Sequence, residues 1–447
     1  MGSVGPFFKR GVACTAGNMK KDKESAMVGF IEIFNFILLL LFSGCYLYQV
    51  VYVFIGLFKR ERTAAAEAEN HRFAVLIPAR NEEAVIGGLL ESIRKQNYPQ
   101  ELISVYVIAD NCTDHTAECS EKYGARVIRR FNKVQVGKGY ALDYALKQID
   151  QEEGIASFDG FLVFDADNVL DPNYFCEMNR TYSQGYEIIT SYRNSKNYGA
   201  NWITAGYGLW FIRESRFLNG ARMKIGSSCA ISGTGFLVSS RTILQDGGWQ
   251  YHLLTEDIEF STDHIIRGYK IGYCPRAILY DEQPETFRAS WNQRLRWTKG
   301  FYQVFAKYGK RLLGGIFKRH SFQCYDMLMV IAPATLITLT SLSANLIFAL
   351  TGLLTENFIL AQTAVTSLGG CLASIYMSLF LFGVVTLIAE QKQIYCPKWK
   401  QILYLFTFPV FIFTYIPMSV VALRKKVTWT RIPHTILCSA DQICSKK

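Results

Sequence analysis

The sequence predicts an α/β protein, a doubly wound and mostly parallel sheet set between N- and C-terminal transmembrane helices. Three observations predict it. Between residues 70 and 310, short continuous apolar runs alternate with helix-length segments. Longer apolar runs flank that region on both sides. Acidic residues stand where the short apolar runs stop, the edge at which such sheets bind ligands.

In chain order, 73–78 reads as a buried strand and 82–96 as the helix after Asn81. Residues 105–109 form the next strand, stopping at Asp110, and Thr113-Asp114 can cap a helix over 114–123. A third strand follows at 125–129, a third helix at 138–149 and a fourth strand at 161–164. The sequence contains neither a G-x-G-x-x-G nor a G-x-x-x-x-G-K-[ST] run, which disfavours dinucleotide-binding and P-loop readings.

Only 19% of the 447 residues are charged while half are apolar, too little charge for a wholly soluble chain. The net charge of +11 is dispersed. It suits basic residues snorkelling at an anionic lipid surface, and also an anionic phosphate substrate. No basic stripe with interleaved aromatics is present, so nucleic acid is not an expected partner. The 12 cysteines contain no C-x-x-C and several lie in apolar surroundings, so they read as reduced, without a zinc site.

Residues 27–58 exceed the roughly 20 needed to span a bilayer and lack a cleavage site, so they read as an anchor after a flexible 1–26. Residues 327–354 and 367–389 read as two further spans joined through the polar Thr355-Glu356-Asn357. Residues 402–423 are apolar but contain Pro409 and Pro417, with basic flanks at 392–400 and 424–426. Two flanks on the cytosolic side cannot bracket one crossing, so 402–423 is expected to lie at the interface or re-enter. The boundaries are then 70–285 for the α/β domain, 286–325 for amphipathic interface helices, 326–423 for the transmembrane and interfacial region, and 424–447 for a loop and tail.

Asp165 and Asp167 flank one alanine at a strand end. Such a pair can hold Mg²⁺ or Mn²⁺ against a nucleotide diphosphate, or form an ordinary acidic turn. Asp110 can accept from a base N–H or a ribose hydroxyl, or belong to a helix start. Lys138, between two glycines at a helix start, can meet a phosphate or be a loop lysine. Glu256-Asp257 opens a helix, where a carboxylate can serve as a base toward a sugar hydroxyl or complement the helix dipole. Gln293, Arg296 and Trp297 fall at i, i+3 and i+4, on one helix face. Arg suits diphosphate oxygens and a Trp face suits a sugar ring, while Arg288 and Arg294 are expected at the surface or toward lipid.

Taken in this order, Asp110, Asp165-x-Asp167, Thr255-Glu256-Asp257 and Gln293-x-x-Arg296-Trp297 resemble the membrane-embedded family 2 inverting glycosyltransferases. Synthases of hyaluronan, chitin, cellulose and poly-N-acetylglucosamine belong to that family. The resemblance implies a GT-A-like domain. It implies that Asp110 contacts the uracil, that Asp165 and Asp167 engage the diphosphate and metal, and that Asp257 is the base. It places Gln293, Arg296 and Trp297 at the acceptor and diphosphate, with Glu256 and Lys138 in the substrate-binding set. Gly233 and Thr234, within Ser232-Gly233-Thr234-Gly235, resemble the stretch that shapes the acceptor pocket. Trp429, within 427–431, resembles a gating loop that closes over the nucleotide.

The implied activity transfers a sugar from UDP-N-acetylglucosamine or UDP-glucose to a growing β-linked polysaccharide. Single transfer to ceramide or diacylglycerol is the alternative, and a non-catalytic scaffold or transporter subunit is one of another class. UDP-sugars are cytosolic, so the α/β domain is expected on the cytosolic face of the plasma membrane. That puts the N-terminus outside despite its five basic residues. Synthases of this kind continue into further spans, whereas this sequence ends about 16 residues after the gate-like run. A self-contained export channel is therefore not expected, which leaves room for an oligomer or an accessory export subunit.

Overall fold

The computed structural model of the chain describes residues 7–59, 69–318 and 321–445. It forms two compact units, Met1–Leu47 with Pro333–Ser378, and Tyr48–Ala332 with Leu379–Lys447. The elements run α1 (Phe7–Phe58), β1 (Phe73–Ala79), α2 (Ile86–Arg94), β2 (Ile103–Asp110), α3 (Thr116–Lys122), β3 (Arg126–Arg130), α4 (Lys138–Glu152) and β4 (Gly160–Val163). Next come β5 (Val169–Leu170), α5 (Tyr174–Tyr182), β6 (Ile188–Ser195), α6 (Trp202–Arg213), α7 (Gly220–Ile225), β7 (Phe236–Ser239), α8 (Ser240–Asp246), α9 (Glu256–Arg267) and β8 (Ile271–Asp281). The remainder is helical: α10 (Phe287–Ile316), α11 (Ser321–Ile331), α12 (Pro333–Leu354), α13 (Phe358–Glu390), α14 (Lys398–Phe413), α15 (Tyr415–Arg424) and α16 (Ala440–Cys444).

The larger unit is built on an eight-stranded sheet of order β3-β2-β1-β4-β7-β6-β8-β5. β1 pairs in parallel with β2 and β4, and β2 with β3. β7 runs antiparallel to both β4 and β6, and β8 pairs parallel to β6 and antiparallel to β5. All strands but β5 and β7 therefore point one way, and the C-terminal ends of β1, β2, β4, β6 and β8 share one edge. β1 is buried on both faces, as a run without polar alternation requires. Phe73, Val75 and Ile77 pack with Ile86, Leu89, Ile93, Phe175 and Met178. α4 buries Ala141, Leu142, Ala145, Leu146 and Ile149, an i, i+4 stripe.

Four sequence expectations need correction. The expected helix over 82–96 is confined to Ile86–Arg94, because Asn81 adopts φ 59° and a turn precedes the helix. The expected span 327–354 is two helices, since Pro333 has no N–H and begins α12 after α11 ends at Ile331. The flexible 1–26 is helical from Phe7 onward, where 19–26 is rich in Lys, Met, Glu and Ala; residues 1–6 lie outside the described residues. Arg294, expected at the surface or toward lipid, is fully buried. Its Nη1 donates to Phe411 O at 3.1 Å and Thr414 Oγ1 at 2.6 Å, and its guanidinium lies 4.1 Å from the Phe411 ring centre. α14 and α15 cover it, and no one-dimensional helix pattern contains them.

Among the described residues, four helical stretches are long and apolar enough to cross a membrane: Ser25–Phe58, Leu336–Leu354, Phe358–Gln393 and Lys398–Arg424. Length and composition do not set the last apart from the others. Its packing does, with 39% of its most apolar window buried against 6%, 22% and 17% for the other three. In the smaller unit, Asn35 and Asn345 exchange amide hydrogen bonds of 3.0 and 2.8 Å beside a cluster of Ile31, Ala349, Leu360 and Ala364. No described cysteine forms a disulfide.

Candidate active site

The strand ends of the larger unit carry Arg80, Asp110, Asp165, Ser195 and Asp281 onto one edge. Asp110 is buried and accepts from Arg130 Nη1 at 2.6 Å, across the β2–β3 pairing that sets the two side by side. The capping role goes to Asp114, which accepts from Thr116 N at 3.1 Å, so Asp110 is left to the strand end.

Lys138 is the first residue of α4. Its Nζ donates to Asp165 Oδ1 at 2.5 Å and to Gly233 O at 2.8 Å. Gly139 is required by close approach: a methyl there would come 2.1 Å from Tyr251 O, in the loop that leads into α9. The two glycines of the Gly-Lys-Gly run thus let α4 begin against that loop, with the lysine between them reaching the strand-end acid.

Asp165 and Asp167 face different partners. Asp165 keeps 36% of its side chain exposed, and its N–H is held by Thr234 Oγ1 at 2.9 Å. Asp167 is buried and accepts from Glu282 N at 3.0 Å. It lies beside Asp281, which accepts from Arg193 Nε at 2.9 Å and also from Arg193 Nη2. Burial pushes the Asp281 carboxyl up to about 6 against the pull of Arg193, with Asp167 adding to the rise. Among the described residues, no three His, Cys, Asp or Glu side chains form a group suited to hold a metal ion. Asp165 and Asp167 supply carboxylate oxygens at this turn, the ligand type a hard cation takes.

The segment 232–235 joins these acids to α9. Gly233 (φ 79°) offers its carbonyl to Lys138 and lies beside Asp257, whose Oδ2 a methyl on Gly233 would approach to 3.9 Å. Thr234 Oγ1 donates to Asn168 Oδ1 at 2.5 Å. Gly235 (φ 66°) is packed so tightly that a methyl would come 1.9 Å from Leu279 Cδ2. Glu256 and Asp257 open α9. Burial raises both carboxyl pKa values, their mutual repulsion adds to it at Glu256, and Lys138 and Arg296 oppose it.

α10 carries the expected face. Arg296 Nη1 donates to Leu254 O at 2.9 Å, which points it toward the start of α9. Trp297 packs edge-on to Tyr207 and Phe211 of α6, with ring centres 5.8 and 6.1 Å away, in a cluster that includes Phe411. Gln293 Oε1 is buried without a hydrogen-bond partner among the described residues. Lys138, Asp165, Gly233 and Thr234 thus form one hydrogen-bonded group, with Asp257 beside Gly233 and Arg296 bonded to the loop that leads into Glu256-Asp257. Trp429 stands apart, beside Arg80 with the guanidinium 5.1 Å from its ring centre.

Sequence reasoning missed several residues here. Asp281 and Glu282 repeat the strand-end pattern that singled out Asp110 and Asp165, and that pattern could have found them, whereas Arg193 lies inside β6 and has no such signal. His434 could not have been found this way. It lies 3.1 Å from Glu82 on a tail whose Thr435 and Ile436 N–H groups donate to Glu282 at 2.9 and 3.0 Å. Burial opposes a charge on His434, but Asp167, Glu82 and Glu282 outweigh it and hold the pKa up at about 10.

Comparison with known proteins follows from this geometry. Residues 71–300 match the family described as "Glycosyltransferase like family 2". The chain is 28% identical over 289 residues to beta-monoglucosyldiacylglycerol synthase from a Nostoc species, covering 62% of this chain and 58% of that protein. It is 27% identical over 289 residues to poly-beta-1,6-N-acetyl-D-glucosamine synthase of Staphylococcus epidermidis, covering 61% and 66%. The chain thus spans about half to two thirds of the length of the curated relatives it matches. Among solved structures, it resembles a Pyrobaculum calidifontis mannosyltransferase in complex with GDP-mannose and Mn²⁺. The TM-score is 0.53 and the identity 14%, over 86% of this chain and 98% of that one.

Proposed function

The chain belongs to glycosyltransferase-like family 2, and from that premise we propose that it transfers a sugar from a UDP-sugar, UDP-N-acetylglucosamine or UDP-glucose, to a growing β-linked polysaccharide. Its fold is GT-A-like and its activity is that of a glycosyltransferase. One observation carries the finer reading. Gly233 lies beside Asp257 and its carbonyl accepts from the same Lys138 that holds Asp165, so the residue read as the base and the turn read as facing the diphosphate meet at one backbone segment.

In the proposed step, Asp257 takes the proton of an acceptor hydroxyl. The oxygen attacks the anomeric carbon from the face opposite the diphosphate. The new C–O bond forms as the bond to the phosphate oxygen breaks, and that electron pair leaves with UDP, giving inversion. Arg296 and Lys138 supply positive charge toward the departing diphosphate, the kind of fixed charge that contributes most to such reactions. Asp110 orients the uracil or ribose, and Glu256, Gln293, Gly233 and Thr234 line the substrate site. Trp297 offers its ring to the acceptor, and Trp429 belongs to a loop that covers the nucleotide. Asp165 and Asp167 would hold Mg²⁺ or Mn²⁺, which neutralises diphosphate charge when bound.

The catalytic domain is assigned to the cytosolic face of the plasma membrane, where UDP-sugars are made, with 402–423 lying at the interface. The glycolipid alternative, one glucose placed on a diacylglycerol, is favoured by one specific observation, the similarity to a diacylglycerol glucosyltransferase at the same level of identity. Membranes carrying the full chain, supplied with radiolabelled UDP-N-acetylglucosamine or UDP-glucose, test both through the size of the product. A polymer supports the first reading, and a single sugar on lipid supports the second. No transfer from either donor overturns both.

A further inference from the structure

Between α6 and α7 the chain does not continue as an α-helix. Residues Glu214–Asn219 form a π-helical turn, the kind of local widening that recurs at functional sites because it re-aims a side chain at a cost in backbone geometry. Its first residue, Glu214, is partly buried and follows Phe211, a wall of the aromatic cluster around Trp297, by three positions.

The basic residues near Glu214 are engaged elsewhere. Arg213 Nη2 donates to Gln49 at 2.7 Å. Arg222 holds Asp326 through Nε and Nη2 at 2.7 and 2.8 Å. Arg193 is spent on Asp281 and on Ser232 O, at 2.9 Å for each of its Nε and Nη1 bonds. Among the described residues, the hydrogen bond found for the Glu214 carboxylate is a long one, 3.5 Å from Ser232 Oγ. A carboxylate has about four acceptor positions, so this one is left with most of its capacity unused in a sheltered place. Ser232 is also the residue before Gly233, which lies beside Asp257. Glu214 and the base thus flank the same two residues. Burial and the neighbouring Asp257 raise the Glu214 pKa, against the pull of the three arginines.

We propose that Glu214 is the second carboxylate of the acceptor site, accepting a hydrogen bond from a hydroxyl next to the one that Asp257 deprotonates. Its carboxylate reaches Ser232, next to Gly233, and Phe211, Trp297 and Phe411 supply the apolar wall that a sugar ring requires. Glu214 is a binding residue in this role, and the group it selects is a neutral acceptor with adjacent hydroxyls. Anionic acceptors are repelled, and an acceptor with one lone hydroxyl gives it nothing to hold. The proposal rests on the glycosyl-transfer reading above and deepens it.

The test uses the full chain in membranes, radiolabelled UDP-N-acetylglucosamine and UDP-glucose as donors, and two acceptors, a β-linked N-acetylglucosamine trimer and dioleoylglycerol. Glu214→Ala is expected to raise KM for the trimer about tenfold to a hundredfold, the value of a charge-assisted hydrogen bond. UDP affinity and kcat at saturating trimer should stay near wild type. Glu214→Gln, which keeps the volume and an acceptor oxygen, should give a smaller rise, and it carries the test if the alanine variant fails to bind UDP. An unchanged trimer KM overturns the proposal, as does a fall in kcat at unchanged KM, which would make Glu214 a structural counter-ion of its arginines. Wild-type protein that uses dioleoylglycerol alone also overturns it, while leaving the glycosyl-transfer reading intact. Wild-type protein inert with both donors takes both down together.

Discussion

Two carboxylate pairs stand in this molecule, and they are built in opposite ways. Asp165 and Asp167 sit in an irregular turn, one residue apart, and diverge. The first is open and held by Lys138, and the second is buried against Glu282 and Asp281. Glu256 and Asp257 are adjacent at the start of a regular helix, share one buried environment and repel each other. A turn can hand its two acids to different partners, so it suits a ligand that bridges. A helix start fixes both in one field, so it tunes proton affinity. The same residue type thus meets separate partners in one place and mutual repulsion in the other, which sets proton affinity differently in the two.

The largest expected effect is on the helix pair. Asp257→Asn should lower sugar transfer by about 10²–10⁴-fold while UDP affinity stays unchanged. Paired measurements of radiolabel transfer and UDP binding check this, and retained turnover would remove the base assignment. The turn pair should respond in the other variable. Asp167→Ala should weaken UDP binding in the presence of Mn²⁺ by about tenfold or more, read by calorimetric titration with and without the ion. Equal affinity would break the contrast between the pairs.

A finer test uses the repulsion itself. Glu256→Gln removes a negative neighbour, so the Asp257 pKa should fall. Because the base must be ionised, the acidic limb of the pH–rate profile should then move to lower pH. The sign for stability is the same in origin. With folded-state pKa values above the unfolded ones, the native protein binds more protons, and stability falls as pH rises from the ordinary carboxylate range through the raised values. Thermal melts across that window should show a flatter decline for Glu256→Gln. The smallest effect is expected from Trp429→Ala. It removes a cation–π contact with Arg80 worth about 0.5–1 kcal/mol and should raise donor KM about two- to fivefold, with kcat little changed.

The legible part of the fold is the part where burial is written locally. β1, β2 and β4 are largely continuous apolar runs, the last two leading into Asp110 and Asp165, so these strands and the edge that carries the two acids can be read directly. The far half of the sheet is harder, because β6 ends in Ser191–Ser195, polar side chains that are nonetheless buried. Their burial depends on partners such as Asp281, distant in sequence. Arg294 was misplaced for the same reason. Helical spacing sets it off the Gln293–Trp297 face, and only α14 and α15, more than 100 residues later, enclose it. Glu214 left no trace, since a π-turn shifts a side chain off the face that a 3.6-residue period assigns.

Arg294 carries a further consequence. A permanently charged group sealed between Phe411, Thr414 and Tyr415 makes α14 and α15 a fitted part of the helix that bears Trp297, not an interchangeable tether. A chimera with an unrelated apolar hairpin in place of 398–424 would keep the protein's address in the cell and strand a cation in oil. Through this one side chain α10 and the 398–424 stretch are fitted to each other, so an exchange of either leaves the other without its partner.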